Sequence, residues 1–312
     1  MMVFNDIAQV RNIPNAVVTI GTFDGVHIGH QAIFRKMREL AETIDGQTVV
    51  VTFSPHPRQV LNIDSSNLRF ICTEEEKLKR IEQFGIDNVV IITFTKEFAR
   101  TPSEDFIKNF IIERIKPSYI VVGYDHHFGK NRMGDFDQLT QLGQQFSFKV
   151  ERVEAQDVDE VAVSSTKIRH ALAIGDVATA NRLLGYPYSV TAEVVRGNMI
   201  GRTIGFPTAN LELPKEYRLI NNAGVYTCLV DLNRTTYKAM ANIGKRPTIG
   251  DRDDDNFIIE VNIFDFDQDI YGQHITVRFL DRIRSEIKFN GLEELKAQLN
   301  QDREQAKAML EA

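Results

Sequence analysis

The chain is short of several things, and each shortage removes a class of protein. It has two cysteines, Cys72 and Cys228, far apart and without CxxC spacing. That excludes a disulfide framework and a cysteine zinc site, and it points to a reducing compartment. No apolar run approaches the roughly 18 residues that a membrane helix needs. The opening MMVFNDIAQV lacks the basic start and long apolar core of a signal peptide. A soluble, cytoplasmic protein is expected. Positive charge is not in excess: 37 Lys and Arg face 43 Asp and Glu, a net charge of -6. Residues 1–186 carry 21 basic and 24 acidic side chains, leaving 16 and 19 in 187–312, so each half nets -3. Neither half is a basic module for nucleic acid. There is no internal repeat, no low-complexity segment and no GxxxxGK(S/T) phosphate loop.

What remains is globular composition in 312 residues, enough for two domains. The first 186 residues alternate strand and helix signals. Val17–Ile20, Gln47–Phe53, Asn88–Phe94 and Tyr119–Gly123 are continuous apolar or β-branched runs. Such strands belong to a parallel sheet covered on both faces, whose ligands bind beyond the strands' C-terminal ends. Thr73 and Glu76 form a capping box for a helix that stops at Gly85, and Ser103 is expected to cap another. After Gly185-Tyr186-Pro187 the rhythm changes. Five strand signals follow: 188–197, 224–232, 235–243, 256–264 and 275–283. That spacing predicts a small antiparallel barrel or sandwich, with a domain boundary near 187. No helix pattern appears until Gly291, where an amphipathic helix begins with Leu292, Leu295 and Leu299 on one side. The fold class is α/β with a β-rich second domain.

The first chemical signal is GTFDGVHIGHQAIF, residues 21–34, at a strand-to-helix turn. Gly21, Gly25 and Gly29 let phosphates approach the backbone, beside Phe23 and Asp24. The next helix offers free N–H groups and a partial positive charge. His27 and His30 add directional donors that stabilise charge growing on a phosphate. The pair could instead bind a metal, but zinc takes three or four protein ligands and only Asp24 stands near as a third. Two ordinary surface histidines are the other alternative. In SSTKIR (164–169), Ser165 or Thr166 can cap a helix through Ile168 and Ala171, and Arg169 is a multi-donor cation suited to polyphosphate. Asp125, at the end of the YIVVG strand, stands where a ligand contact is expected.

The second signal is GRTIGFPTANL, residues 201–211. Gly201 and Gly205 permit a tight loop around Arg202, and Pro207 stiffens the approach to Thr208 and Asn210. Alternate residues of an extended segment share a face. Thr208 and Asn210 therefore offer two oxygens to one side, suitable for Mg²⁺ carrying ATP phosphates. A turn that merely closes a barrel fits equally well. In FIIEVNIF, Glu260 shares a face with Ile258 and Asn262, away from Ile259, Val261 and Ile263. It is either a solvated strand residue, the commoner fate of a strand glutamate, or a general base.

The stretches GTFDGVHIGH (21–30), TFSPHP (52–57), GYDHHFGKNRMG (123–134) and SSTKIR (164–169) resemble the HxGH nucleotidyltransferases. With PTAN (207–210), NIGKRPTIG (242–250) and IIEVNIFDFDQDIYG (258–272), the chain more closely resembles the bacterial bifunctional riboflavin kinase/FAD synthetases. The resemblance implies ATP phosphates held by His27 and His30 and closed over by Ser164, Ser165, Thr166 and Arg169. It implies magnesium and nucleotide at Thr208 and Asn210, and Glu260 as catalytic base. It implies flavin contacts at Asp125, Phe128, Arg284 and Phe289. The implied reactions phosphorylate riboflavin to FMN with Mg-ATP, then transfer AMP from a second ATP to give FAD and pyrophosphate. His126 departs from the family, where phenylalanine is common. His56, between two prolines, fits a structural role. A chain with one active half, or a flavin-binding sensor without catalysis, also fits these motifs.

Overall fold

The computed structural model describes residues 1–62, 69–124, 127–129, 133–158, 161–197, 200–213, 217, 219, 222–245 and 257–311. Contacts divide the chain into two compact units: residues 1–68 with 73–164, and residues 69–72 with 165–312.

In the first unit the chain forms β1 (Met2–Phe4), β2 (Ala16–Ile20), α1 (Ile28–Thr43), β3 (Thr48–Ser54), α2 (Pro57–Val60), α3 (Glu74–Gln83) and β4 (Asn88–Thr93). Then come α4 (Ser103–Phe106), α5 (Glu113–Ile115), β5 (Pro117–Gly123), α6 (Phe136–Phe146) and β6 (Lys149–Val153), and a two-strand ladder of β7 (Asp157–Val158) and β8 (Val161–Ala162). The main sheet runs β1-β4-β3-β2-β5-β6, and every neighbouring pair is parallel. The apolar strands are continuous because both faces are covered. Val18 and Ile20 face a layer with Ile107, Ile111 and Leu139. Val17 faces Phe34, Met37 and Ile81 on the other side. Each fully buried aliphatic side chain contributes roughly 1.5–3 kcal/mol.

The chain builds outward from β2 through β3 to β4, then returns to lay β5 on the other side of β2. The order therefore reverses between β2 and β5, where open α/β sheets bind ligands. Thr19 fastens that seam, donating from Oγ1 to the Val121 carbonyl at 2.8 Å. The Thr73–Glu76 capping box forms in both directions, at 3.1 and 2.9 Å. Ser103 does not cap. Pro102 holds that position, and the Ser103 hydroxyl donates to Gln138 Oε1 instead. Residues 107–112 of this helical stretch widen into a π-helix.

The second unit contains α7 (Ser165–Ala173), α8 (Val177–Leu184), β9 (Ser189–Val195), α9 (Ile200–Thr203), β10 (Ala209–Leu211) and β11 (Gly224–Leu232). β12 (Thr235–Lys245), β13 (Phe257–Ile263), β14 (His274–Ser285) and α10 (Leu292–Met309) complete it. Its strands close an antiparallel barrel in the order β10-β13-β12-β11-β14-β9. The five expected strands are all present. The sixth, β10, is the PTAN segment itself. Tyr226, Cys228, Val230, Ala241, Ile259, Val261, Val277 and Phe279 are buried. α7 and α8, placed before residue 187 in the sequence reading, belong to this unit. Asn181 ties α8 to β14, donating to the Phe279 carbonyl at 2.9 Å and accepting from Tyr188 N–H at 2.7 Å.

α10 packs on the barrel, but not through Leu292, which projects from its first turn and is 55% exposed. Leu299, Ala306 and Leu310 join a cluster with Phe206, Val225, Met240 and Phe264. A buried ion pair locks the helix down. Arg284 donates from Nε and Nη2 to the two carboxylate oxygens of Asp302, at 2.8 and 2.7 Å, and Asp302 is 1% exposed.

Candidate functional site

Each unit holds one cluster of the expected residues. In the first unit, the turn from β2 to α1 leaves the sheet at the β2/β5 seam. Phe23, Gly25 and Val26 all take positive φ, at 51°, 79° and 39°. The turn doubles back tightly, and Phe23, Asp24 and Val26 are buried. Phe23's ring lies against Gly21, where a Cβ would meet it at 2.9 Å. His27 is the N-cap residue of α1 and makes no capping bond with its side chain. The first turn of α1 also has no acidic residue. A sixteen-residue helix thus opens at the seam with an electropositive end that the His27 side chain does not cap.

The imidazoles of His27 and His30 stack with centroids 3.6 Å apart and planes 20° apart. The HxGH spacing explains this. Residues three apart on a helix neighbour each other. Gly29 has only 3.3 Å between a would-be Cβ and the His27 ring, so a larger residue would crowd the stack. Phe23 closes the other side, edge-on to His30 at 5.1 Å. His30 Nδ1 is buried and has no hydrogen-bond partner. Burial, then the neighbouring His27 charge, pushes the His30 pKa well below 6.5. Both effects favour the neutral imidazole.

The remaining first-unit residues divide. His56 serves as N-cap of α2, its Nδ1 accepting from Arg58 N–H at 3.2 Å. Phe128 is buried and pairs with Gly134 through two backbone bonds of 3.0 Å. Asp125 and His126 lie outside the described residues. Ser164 ends the first unit, directly before α7. Ser165 and Thr166 are the first two residues of α7. In the second unit Arg169 donates from Nε to the Arg69 carbonyl at 2.8 Å.

The barrel assembles the second cluster by register. Asn210 of β10 lies directly opposite Glu260 of β13. Glu260 lies opposite Asn242 of β12, Asn242 opposite Val225 of β11, and Val225 opposite Arg284 of β14. Paired residues share a face. Asn210, Glu260, Asn242 and Arg284 therefore occupy one row on one face of the strands. Asn242, within NIGKRPTIG, joins this row only through the strand register. Glu260 is half-buried between apolar neighbours of the opposite face, Ile259 and Val261.

The loop before β10 is shaped by its glycines. Phe206 N–H bonds to the Gly201 carbonyl at 2.8 Å, and a Cβ on Gly201 would collide with the Phe206 carbonyl. Gly205 has φ +85°. Asn262 donates to the Pro207 carbonyl at 2.7 Å, fixing the loop to β13. Thr208 and Asn210 line a cavity of about 300 Å³, together with Gly197, Arg202, Asp267 and Asp269. Arg284 is held by Asp302, and its guanidinium sits 5.9 Å from the Phe289 ring.

The comparisons divide the chain as the clusters do. A FAD synthetase family model matches residues 9–167, and a riboflavin kinase family model matches residues 184–310. A bifunctional riboflavin kinase/FMN adenylyltransferase of Bacillus subtilis is 38% identical, covering 93% of this chain and 91% of that protein. The Listeria monocytogenes protein of the same name is 36% identical, covering 94% and 92%. A solved structure, called a macrolide-efflux protein from Streptococcus pneumoniae, has a TM-score of 0.84 and 32% identity over 98% of both chains. No helix among the described residues is long and apolar enough to cross a membrane. Both family models and full-length relatives agree, and the chain belongs to the bifunctional riboflavin kinase/FMN adenylyltransferase family.

Proposed function

We propose that residues 187–312 phosphorylate riboflavin through the Asn210–Glu260–Asn242 row, and that residues 1–186 adenylylate FMN at the His27/His30 turn. The observation that carries the reading is the strand register that sets Asn210 opposite Glu260. Two motifs fifty residues apart in sequence are thereby paired across neighbouring strands.

In the kinase step the ribityl 5′-hydroxyl attacks the γ-phosphorus of ATP. A P–O bond forms to the ribityl oxygen, the bond to the β-phosphate oxygen breaks, and ADP leaves. The hydroxyl proton passes to the Glu260 carboxylate. The residues fit magnesium. Thr208 and Asn210 carry neutral oxygens and line a cavity of mixed polar and apolar surface, and the described residues contain no cluster of three His, Cys, Asp or Glu that would form a dedicated cage. Magnesium commonly sits on one or two protein groups plus phosphates and water. When bound, it neutralises phosphate charge. Thr208 and Asn210 would hold it, and Gly201, Arg202 and Gly205 would cradle the nucleotide. Arg284 and Phe289 would border the flavin, with Arg284 oriented by Asp302.

In the adenylylation step an oxygen of the FMN phosphate attacks the α-phosphorus of ATP, and pyrophosphate leaves. That nucleophile is already ionised, so positioning and charge stabilisation replace a base. Gly21, Phe23, Asp24, Gly25 and Gly29 would shape the phosphate turn, with His27 and His30 as donors. Ser164, at the end of the same unit, would add a phosphate donor, and Asp125 and Phe128 would contact the flavin; Ser165, Thr166 and Arg169 belong to the second unit. Two cysteines outside any disulfide and the substrates support a cytoplasmic location.

The test is a product time course with purified protein, riboflavin, ATP and Mg²⁺. FMN should rise first and FAD follow. FMN accumulating without FAD, from protein also given FMN directly, would remove the adenylylation assignment. Riboflavin left unchanged while added FMN becomes FAD would remove the kinase assignment.

A further inference from the structure

Lys77 is a chemistry-bearing side chain of the first unit that the proposed mechanism leaves unused. It lies in the first turn of α3, the helix opened by the Thr73 capping box, and is only 8% exposed. Lysine is rarely so buried unless its ammonium has partners. Its Nζ donates to Thr52 Oγ1 at 3.2 Å. Thr52, 0% exposed, directs that same oxygen at the Thr22 carbonyl, 3.4 Å away. Thr52 opens TFSPHP at the C-terminal end of β3, and Thr22 belongs to the turn from β2 to α1. The ammonium thus reaches the backbone of that turn through a single hydroxyl.

The surroundings make a cation there informative. Residues 21–34 contain no lysine or arginine. The turn instead buries a carboxyl, Asp24, at 4% exposure. His30 is held neutral by burial and by its neighbour. The stretch offers donors and a helix end but no fixed positive side chain. Where α3 needs only packing, it uses an aliphatic residue, as at Ile81 one turn later.

We propose that Lys77 is a positioning residue for adenylylation: a buried cation behind the β2–α1 turn that fixes the Thr22 carbonyl through Thr52 and attracts the polyphosphate of ATP. The inference rests on the reading that this turn holds ATP phosphates. It is tested in the full chain with Lys77→Gln, Lys77→Met, Lys77→Arg and Thr52→Val. Each is assayed for FMN adenylylation over a range of ATP, with riboflavin phosphorylation by the same preparation as internal control. Lys77→Gln and Lys77→Met should raise KM for ATP about tenfold or more, with a smaller change in kcat and with kinase activity intact. Lys77→Arg should recover most of the loss. Thr52→Val should raise KM less, because it cuts the tether and leaves the charge.

Lys77→Gln matching the parent would overturn the proposal, since glutamine keeps a donor to Thr52 without charge. Loss of both activities with a lowered unfolding temperature in all four variants would also overturn it, leaving Lys77 a role in folding alone. A parent that makes no FAD from supplied FMN would instead overturn the underlying reading of the turn.

Discussion

The two clusters carry different chemical equipment. The turn in the first unit has stacked imidazoles, a buried carboxyl at Asp24 and a helix start that the His27 side chain does not cap. The row in the barrel has a half-buried glutamate flanked across strands by two asparagines. The enzyme phosphorylates riboflavin and adenylylates FMN, and the nucleophiles account for the contrast. A primary alcohol must lose a proton as it attacks, whereas a phosphate has already lost it. A strand row also holds groups in fixed register, while a strand-to-helix turn gathers backbone donors that suit a polyphosphate.

Four changes sharpen or break that comparison. The largest effect belongs to Glu260→Gln, which should lower kinase turnover by about 10²–10⁴-fold and spare adenylylation of supplied FMN. Equal loss in both assays would erase the division. Asp302→Ala should next destabilise the barrel by about 3–5 kcal/mol, because it strands Arg284 without its buried partner. Chemical denaturation reads this directly, and a change below about 1 kcal/mol would show that the pair does not hold α10. His30→Ala should cut adenylylation about 10²–10³-fold with kinase turnover unchanged. Retained FAD synthesis would remove His30 from the site.

The smallest effect concerns pH. The folded His30 pKa lies below its unfolded value of 6.5. Between those values the unfolded chain binds more protons, so stability is full above pH 6.5 and falls as pH drops toward the folded pKa, by at most about 1.4 kcal/mol per unit. The unfolding temperature of His30→Gln should therefore decline less than the parent's on acidification from pH 6.5. Parallel curves would contradict the neutral imidazole with its buried Nδ1.

Much of the fold was legible because its signals are local. Continuous β-branched runs marked the parallel strands, and Thr73 with Glu76 marked a helix start that forms as expected. β10 escaped as a strand because it has three residues behind a glycine- and proline-rich loop. Ser103 looked like a cap, but the helix begins on it, after Pro102. Leu292 fits the apolar spacing, yet the first turn of α10 projects beyond its packed face. The HxGH and PTAN segments and Glu260 were visible as motifs. The pairing of Asn210 with Glu260 was not, because cross-strand register depends on the turns that join the strands. Asn242 enters only through that register. Lys77 was hidden for a different reason: within EEEKLKR it reads as one more charge on a solvated helix.

The central claim is that the two reactions rest on separate residues, and mixing two variants tests it most directly. Glu260→Gln and His30→Ala proteins are each given riboflavin, ATP and Mg²⁺, alone and then together, and FAD is measured. Neither alone should make appreciable FAD. His30→Ala should accumulate FMN, and the mixture should restore FAD synthesis as Glu260→Gln consumes that FMN. A mixture that stays without FAD, while His30→Ala supplies FMN and the parent is active, would contradict the assignment of the two steps to two independent sites.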